Sequence, residues 1–593
     1  MKNKQQKLNT LTALKNLLPI VFKEAPLLFF AYVLCSVCLG LFWAANTMFM
    51  QRFFDSATAI VENPHLFSGA VQALIIIATI SCMNQVMNFA NNLVTQAYVG
   101  KVTGRLSLKI HKKISCLSPI CFEDTDTLDC INKAEQGKNN AVWFVLTFFI
   151  IICYYIPYFT FMSFYLFTLK PILSVAIFIV FIPTFLAQLI RTKIFSKLED
   201  ESAPIRRKNS YFESCIVGRD CFKETRILGA FAYFKKLYNE TLILANKLKI
   251  KADIRTNIFE LFMKILTIIG YCLILFGLFV FLLNGDISVG AFAAVFNSIS
   301  ALFSIMDEVI CGHIGNISQN FGTIHNFLLF LELEERNGSE TNIKKDSGII
   351  LDNVTFRYPT ATKNAINNIT FSIRNGETIA IVGENGSGKT TLIRLICGLY
   401  LPEQGNVKIG GVDTNSATMN YLFENTSAVF QSFNKYQMVL KDNITISETM
   451  SSVKETALDI VMNKSGLNDM SIFPDGFNTM LSKEFAGIDL SGGEWQKVAI
   501  ARGLYRTHDI IILDEPTAAI DPIEESNIYN RFAEIAKNKT AIIVTHRLGS
   551  VKLADRIMVL NKGELVEAGT HRELLSLGGH YARMFKEQEH WYK

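Results

Sequence analysis

The nine residues Gly383, Glu384, Asn385, Gly386, Ser387, Gly388, Lys389, Thr390 and Thr391 have the spacing of a loop that cradles phosphate groups. Glycines let successive backbone N–H groups converge on phosphate oxygens with no side chain in the way. Lys389 adds a point charge for β- and γ-phosphates, and the hydroxyl of Thr390 suits Mg²⁺. A strand-like run, Ile379–Val382, leads into the loop, and a helix from Lys389 to about Leu399 leaves it. The N-terminus of that helix aims its positive end at the same anion. A second acidic element belongs to this chemistry. The apolar run Ile510, Ile511, Ile512, Leu513 reads as a buried parallel strand and ends in Asp514 and Glu515. Asp514 is suited to hold Mg²⁺, directly or through water. Glu515 is placed to polarise the water that attacks a γ-phosphate. Two acids at a strand end can also cap a helix, but the upstream phosphate loop favours the nucleotide reading.

These residues occupy only the C-terminal part of a 593-residue chain that is 50% hydrophobic, with mean hydropathy +0.26. Up to about residue 330, long apolar runs alternate with basic loops; beyond it the composition is that of an α/β domain. Six runs are long enough to span a bilayer, near 26–50, 70–96, 142–167, 171–191, 260–283 and 287–311. Lysine and arginine crowd the connections after the second and fourth runs and are nearly absent from the others. That asymmetry places both termini and both long loops in the cytoplasm. Each long loop reads as helix continuing out of the membrane, with a short helix at its tip near 119–129 and 218–229. Leu8, Leu11, Leu14, Leu17, Leu18 and Val21 recur at helical spacing before the first run. They read as an amphipathic elbow on the inner membrane surface or as the first turn of the first span. A net charge of +5 is small for this length and argues against a nucleic-acid partner. Twelve cysteines show no metal-ligand spacing, and Cys35 and Cys38 read as small residues inside a membrane helix.

Two spans carry polar stripes. The second aligns Asn84, Asn88, Asn91 and Thr95, and the sixth aligns Asn297, Ser300 and Ser304, followed by Asp307 and Glu308. Polar groups in a bilayer face protein or a water-filled cavity, so both stripes are candidates for a substrate cavity. Hydrogen bonding between helices accounts equally well for the asparagines. For Asp307 and Glu308 the bland reading is a solvated helix end, and the sharper one is attraction of a cationic substrate.

Leu490, Ser491, Gly492, Gly493 and Glu494, just upstream of the acidic strand, resemble the signature motif of ATP-binding cassette (ABC) proteins. The resemblance assigns further roles by position. Tyr358 matches the aromatic residue that stacks on adenine, and Gln431 the glutamine that senses Mg²⁺ and touches the membrane domain. Asp521 lies in the stretch resembling the dimer-interface loop, and His546 matches the histidine on the γ-phosphate. In the family, Ser491, Gly492, Gly493 and Glu494 belong to the surface that grips the ATP held by the opposite subunit. The chain therefore resembles an ABC exporter half-transporter: a six-helix transmembrane bundle followed by an α/β P-loop cassette. The expected layout is an elbow at 1–25, a transmembrane domain at 26–331, a linker at 332–345 and a nucleotide-binding domain at 346–593. Glu494 and Trp495 depart from the residues many relatives carry, and Glu484–Asp489 differs from the segment that commonly precedes the signature.

The resemblance implies ATP and Mg²⁺ as cofactors, and a second half-transporter as partner, with a homodimer favoured over a heterodimer. Membrane lipids and a transported peptide or small molecule complete the expected partners, in the plasma membrane of a bacterium. The residues around Lys483–Gln496 and Lys223–Gly229 resemble exporters of ribosomally made, modified peptides such as lantibiotics. No peptidase domain precedes the first span, so no leader cleavage is expected. The alternatives are a multidrug or lipid exporter or flippase, then a regulator without net transport, or an importer on the exporter fold.

Overall fold

The computed structural model describes residues 10–60, 67–218, 221–339, 348–449, 455–515, 532–534, 536, 539–545 and 550–592. The chain divides into two compact units: Met1–Ile114 with Asp129–Leu333, and Ser115–Leu128 with Glu334–Lys593.

In the first unit, apolar runs far longer than a soluble helix needs fold into helices that match a bilayer. Among the described residues six are long and apolar enough to cross one: Pro26–Ala59, Phe67–Cys116, Lys133–Leu169, Pro171–Phe195, Phe231–Leu283 and Val289–Ile317. In element terms these are α2 (Pro26–Ala59), α3 (Phe67–Cys116), α4 (Thr125–Ile150) with α5 (Ile156–Leu169), α6 (Pro171–Val217), α8 (Phe231–Leu283), and α9 (Val289–Asp307) with α10 (Gly315–Leu331). A short α1 (Thr10–Glu24) precedes them, and α7 (Phe222–Ile227) lies between α6 and α8. Pro26 and Pro171 open their helices, where a missing N–H costs nothing. Ser288 caps α9 by accepting from Ala291 N at 3.0 Å. The helices α3 and α6 run well past their apolar stretches, and α8 begins well before its own, because the charged sequence there still favours helix.

Two single π-helical turns interrupt this unit: Ile151–Tyr155 joins α4 to α5, and Glu308–Ile314 joins α9 to α10. Asp307 and Glu308 therefore do not end a helix; the chain continues helically to Leu331. The core runs through Tyr158, Met162, Leu166, Leu278, Val295 and Ile299. One helix face of α1, formed by Ala13, Leu17 and Val21, is buried against the rest of the unit.

The second unit holds two sheets. A four-stranded antiparallel sheet has order β2-β1-β4-β5, from β1 (Ile349–Phe356), β2 (Ile366–Ile373), β4 (Gln404–Ile409) and β5 (Val412–Asp413). A six-stranded sheet has order β10-β9-β3-β8-β7-β6. Its strands are β3 (Thr378–Gly383), β6 (Thr426–Val429), β7 (Ile510–Asp514), β8 (Thr540–Val544), β9 (Arg556–Asn561) and β10 (Glu564–Gly569). All neighbours in it are parallel except β9 and β10. The central strands read as unbroken Ile/Val/Leu runs because both faces are covered. The helix after β3, α11 (Lys389–Ile396), packs Leu392, Ile393, Leu395 and Ile396 into the main core.

The stretch expected to be a linker is partly anchored. Arg336 donates to the carbonyls of Gly398 (2.5 Å) and Thr414 (3.0 Å), and its backbone N–H donates to Cys116 O at 2.9 Å. Residues 340–347 lie outside the described residues.

Candidate ATP site

In a parallel sheet every strand delivers its C-terminal end to the same edge, and loops there converge. β3 ends in the phosphate loop, β7 ends in Asp514, and β6 leads directly to Gln431; the pairing sets Val429 opposite Leu513. That topology gathers residues far apart in the chain.

The loop from Gly383 to Gly388 needs its glycines. Gly386 and Gly388 have φ of 79° and 101°, in the left-handed region. A Cβ on Gly388 would sit 2.7 Å from Ala365 O. Lys389 is buried, and its ammonium folds back to donate to the carbonyls of Gly383 (2.9 Å) and Glu384 (3.0 Å). Burial pushes its pKa down, opposed by the charges of Glu515 and Asp514. A phosphate would replace those two carbonyls as its partner. The buried hydroxyl of Ser387 has no hydrogen-bond partner among the described residues.

Asp514 is fully buried, and neither carboxylate oxygen has a hydrogen-bond partner among the described residues. Burial raises its pKa, with the hydroxyl of nearby Thr390 and the charge of Lys389 pulling it back. A buried, unpartnered carboxylate beside a threonine hydroxyl is costly for the protein alone. It fits a divalent cation bound with a nucleotide, which Asp514 and Thr390 would hold. Gln431 was also expected to contribute to this site. Its amide is occupied by Glu515, at 2.7 Å. Glu515 has φ 50°, and its N–H donates to Val544 O at 3.0 Å. Burial raises its pKa too, and Lys389 lowers it.

Tyr358 is half-buried, and its hydroxyl pairs with Thr391 Oγ1 at 3.0 Å. Arg394, which sequence reasoning missed, holds it, and Tyr400 and Glu123 hold Arg394. Arg394 donates to the hydroxyls of Tyr358 (3.3 Å) and Tyr400 (3.0 Å), and Tyr400 donates to Glu123 at 2.5 Å. Glu123 also pairs with Arg394 at 3.3 Å. It ends the single 3₁₀ turn Pro119–Glu123, at the tip of the first long loop. An arginine in the first helix after the phosphate loop was the available signal.

Residues 366–518 match the ABC transporter family. The ATPase unit is an ABC transporter domain. The chain is 28% identical to the subtilin transport ATP-binding protein of Bacillus subtilis, over 96% of this chain and 93% of the relative. It is 31% identical to the ATP-dependent lipid A-core flippase of Methylobacillus flagellatus, over 53% of this chain and 54% of the relative. The solved structure of a bacterial Atm1-family ABC exporter with ATP bound shares its fold. The TM-score is 0.71 at 20% identity, covering 94% of this chain and 99% of that one. Six apolar helices, that exporter fold and the ABC domain together make the chain an ATP hydrolase coupled to membrane transport.

The stretch that resembles the signature opens the helix Gly492–Tyr505. Ser491 caps it by accepting from Glu494 N at 3.3 Å, while the Glu494 carboxylate accepts from Ser491 N at 2.6 Å. This reciprocal capping box ties Glu494 to its own helix. Trp495, the other departure, is a core residue. Ser491 and Gly492 are exposed. From the same helix, missed Arg502 donates to Asn434 O (3.2 Å), Asn443 O (2.9 Å) and Asn443 Oδ1 (3.1 Å), so it pins the loop after Gln431. Asp521 and His546 lie outside the described residues.

The polar residues of the membrane unit separate into two groups. Asn91 is buried, with the Ser36 hydroxyl 3.5 Å from its Oδ1, so it works in helix packing. Asn84 is half-buried and Asn88 exposed. On α9, Asn297, Ser300 and Ser304 are exposed, and Glu308 continues their face. Asp307 does not: it pairs with Lys264 at 3.2 Å and accepts from the Cys311 thiol at 3.2 Å. Lys264 and Arg191 both meet Glu260, at 3.6 and 3.3 Å, so these four charges tie α6, α8 and α9 together.

Proposed function

We propose that this ABC half-transporter exports a peptide, ribosomally made and modified, across the bacterial plasma membrane. The observation that carries the reading is similarity to the subtilin transport protein over 96% of this chain. Similarity to the lipid A-core flippase spans 53% and supports a second reading, export or flipping of a lipid.

The half-transporter fold implies a dimer. We take the partner to be a second copy, because Glu515 and His546 leave each cassette with the residues for hydrolysis. The lysine- and arginine-rich loops, with both termini, face the cytoplasm in this reading. Tyr358 stacks on adenine, and the phosphate loop and Lys389 receive the phosphates. Mg²⁺ bound with ATP would neutralise charge on the β- and γ-phosphates. Glu515, oriented by Gln431, takes the proton of the attacking water. Ser491 and Gly492 present a helix N-terminus to the ATP of the partner copy. Asn84, Asn88, Asn297, Ser300, Ser304 and Glu308 line the path of the cargo.

ATPase rates in lipid nanodiscs, wild type against Glu515→Gln, with peptides and lipids added in turn, test the reading. Stimulation by a lantibiotic-type peptide, and its ATP-dependent uptake into inverted vesicles, is expected. Stimulation by lipids alone would replace peptide export with the flippase reading.

A further inference from the structure

The two π turns of the membrane unit meet. Tyr155, the last residue of Ile151–Tyr155, pairs through its hydroxyl with His313 Nε2 at 3.0 Å, and His313 belongs to Glu308–Ile314. A π turn inserts an extra residue into a helix and re-aims its side chains, and such turns concentrate at functional sites. Here the re-aiming gathers an aromatic wall. The rings of Tyr154 and Tyr155 lie 4.6 Å apart, edge to face, and those of Tyr155 and His313 lie 5.5 Å apart. Gly40 of α2 lets a third helix approach this turn, since a Cβ there would lie 2.7 Å from Tyr154 O.

Glu308 opens the same π turn that carries His313, whose ring nitrogen pairs with Tyr155. It differs from its neighbour Asp307. Among the described residues no lysine or arginine pairs with Glu308, whereas Asp307 is held by Lys264. Glu308 is exposed, in line with the exposed Asn297, Ser300 and Ser304 of α9, a helix that buries Ala291, Val295, Ile299 and Leu302 on its other side and also exposes Phe296. By helical rise it sits about 28 Å from the start of α9, inside or at the edge of an apolar layer ~30 Å thick. An acid there, continuing a row of polar residues, faces protein or water and not lipid.

We infer that the facing π turns form a binding site for an organic cation, a primary ammonium or guanidinium carried by the cargo. Glu308 supplies the charge and the half-buried Tyr154 and His313 supply the aromatic wall, with the buried Tyr155 packed behind them. A carboxylate beside tyrosine faces is the chemistry that recognises such groups. The inference rests on the transport reading and names the chemical class its cargo must contain.

The test uses the full chain in phosphatidylcholine nanodiscs, with empty discs subtracted. The probes are monodansylcadaverine, which carries a primary ammonium, and its neutral N-acetyl derivative. Wild type is expected to bind the ammonium about tenfold more tightly. Glu308→Gln should bring the two within about twofold and leave the neutral probe's affinity in place. Tyr154→Leu should cut the preference to about threefold. Equal binding of both probes by wild type, or full preference in Glu308→Gln, overturns the site. If Glu308→Gln also loses the neutral probe, Tyr154→Leu decides: full preference there excludes the aromatic wall. The probes need neither ATP nor peptide, so this failure leaves peptide export standing. Intact preference with no peptide uptake in vesicles would remove peptide export alone.

Discussion

The side-chain amide of Gln431 donates to a carboxylate oxygen of Glu515 at 2.7 Å, joining the loop after β6 to the end of β7. On its other side Glu515 is held by β8, through its N–H to Val544 O. Strands on both sides thus fix the carboxylate proposed to activate water. Glu515→Gln should keep ATP binding and lower hydrolysis by about two to four orders of magnitude. Single-turnover hydrolysis and nucleotide-binding assays on the same preparation measure both. A variant that turned over at the wild-type rate would remove Glu515 from that role.

Glu515 also sets a pH dependence. Burial lifts its pKa above the usual carboxylate range. A base is useful only when deprotonated, so activity should fall on acidification at a higher pH than an unperturbed carboxylate would produce. The acid limb of a pH–rate profile reads this directly, and it should vanish in Glu515→Gln.

Asp514 makes a stability prediction. A carboxyl whose folded-state pKa is raised holds its proton longer when folded. Its favourable contribution is complete below the unfolded pKa and is lost as pH rises through the folded value. Asp514 is such a group, by burial. At neutral pH the nucleotide-free protein should gain a few degrees in apparent unfolding temperature on Asp514→Asn, and the gain should shrink toward pH 4. Differential scanning fluorimetry without nucleotide tests this; an unchanged or lower midpoint at neutral pH contradicts it.

Glu494 should matter through its helix cap. Glu494→Gln keeps the capping geometry and should leave stability within about 0.5 kcal/mol, whereas Glu494→Ala should cost about 1 kcal/mol. Chemical unfolding of the two variants separates them. Equal losses in both would assign the effect to charge.

Gly40 and Gly277 sit in membrane helices with opposite surroundings. A Cβ on Gly40 meets the backbone of Tyr154, and one on Gly277 meets nothing within 4 Å. Gly40→Ala should destabilise by about 1–3 kcal/mol, while Gly277→Ala should be neutral or slightly stabilising, since alanine favours helix. Thermal unfolding in detergent compares them, and equal midpoints would contradict the close approach at the π turn.

Much of this protein is decided within short stretches of chain. Gly383–Thr391 carries the glycines and lysine suited to phosphate within nine adjacent residues. A run of about 20 apolar residues fixes a membrane helix by its length alone. The Ser491–Glu494 cap is likewise local, closed between residues three apart in the chain. What the tertiary structure decided involves residues brought together from distant positions. Gln431 reaches Glu515 only because β6 and β7 are neighbours, an order no local pattern specifies. Arg394 meets Glu123 across 271 positions. Asp307 and Glu308 are adjacent acids that the sequence treats alike. Packing of α8 against α9 pairs Asp307 with Lys264 and leaves Glu308, on the next face, exposed. Local sequence sets which groups are present; packing and strand order set their partners, and those partners determine what a charged group can do.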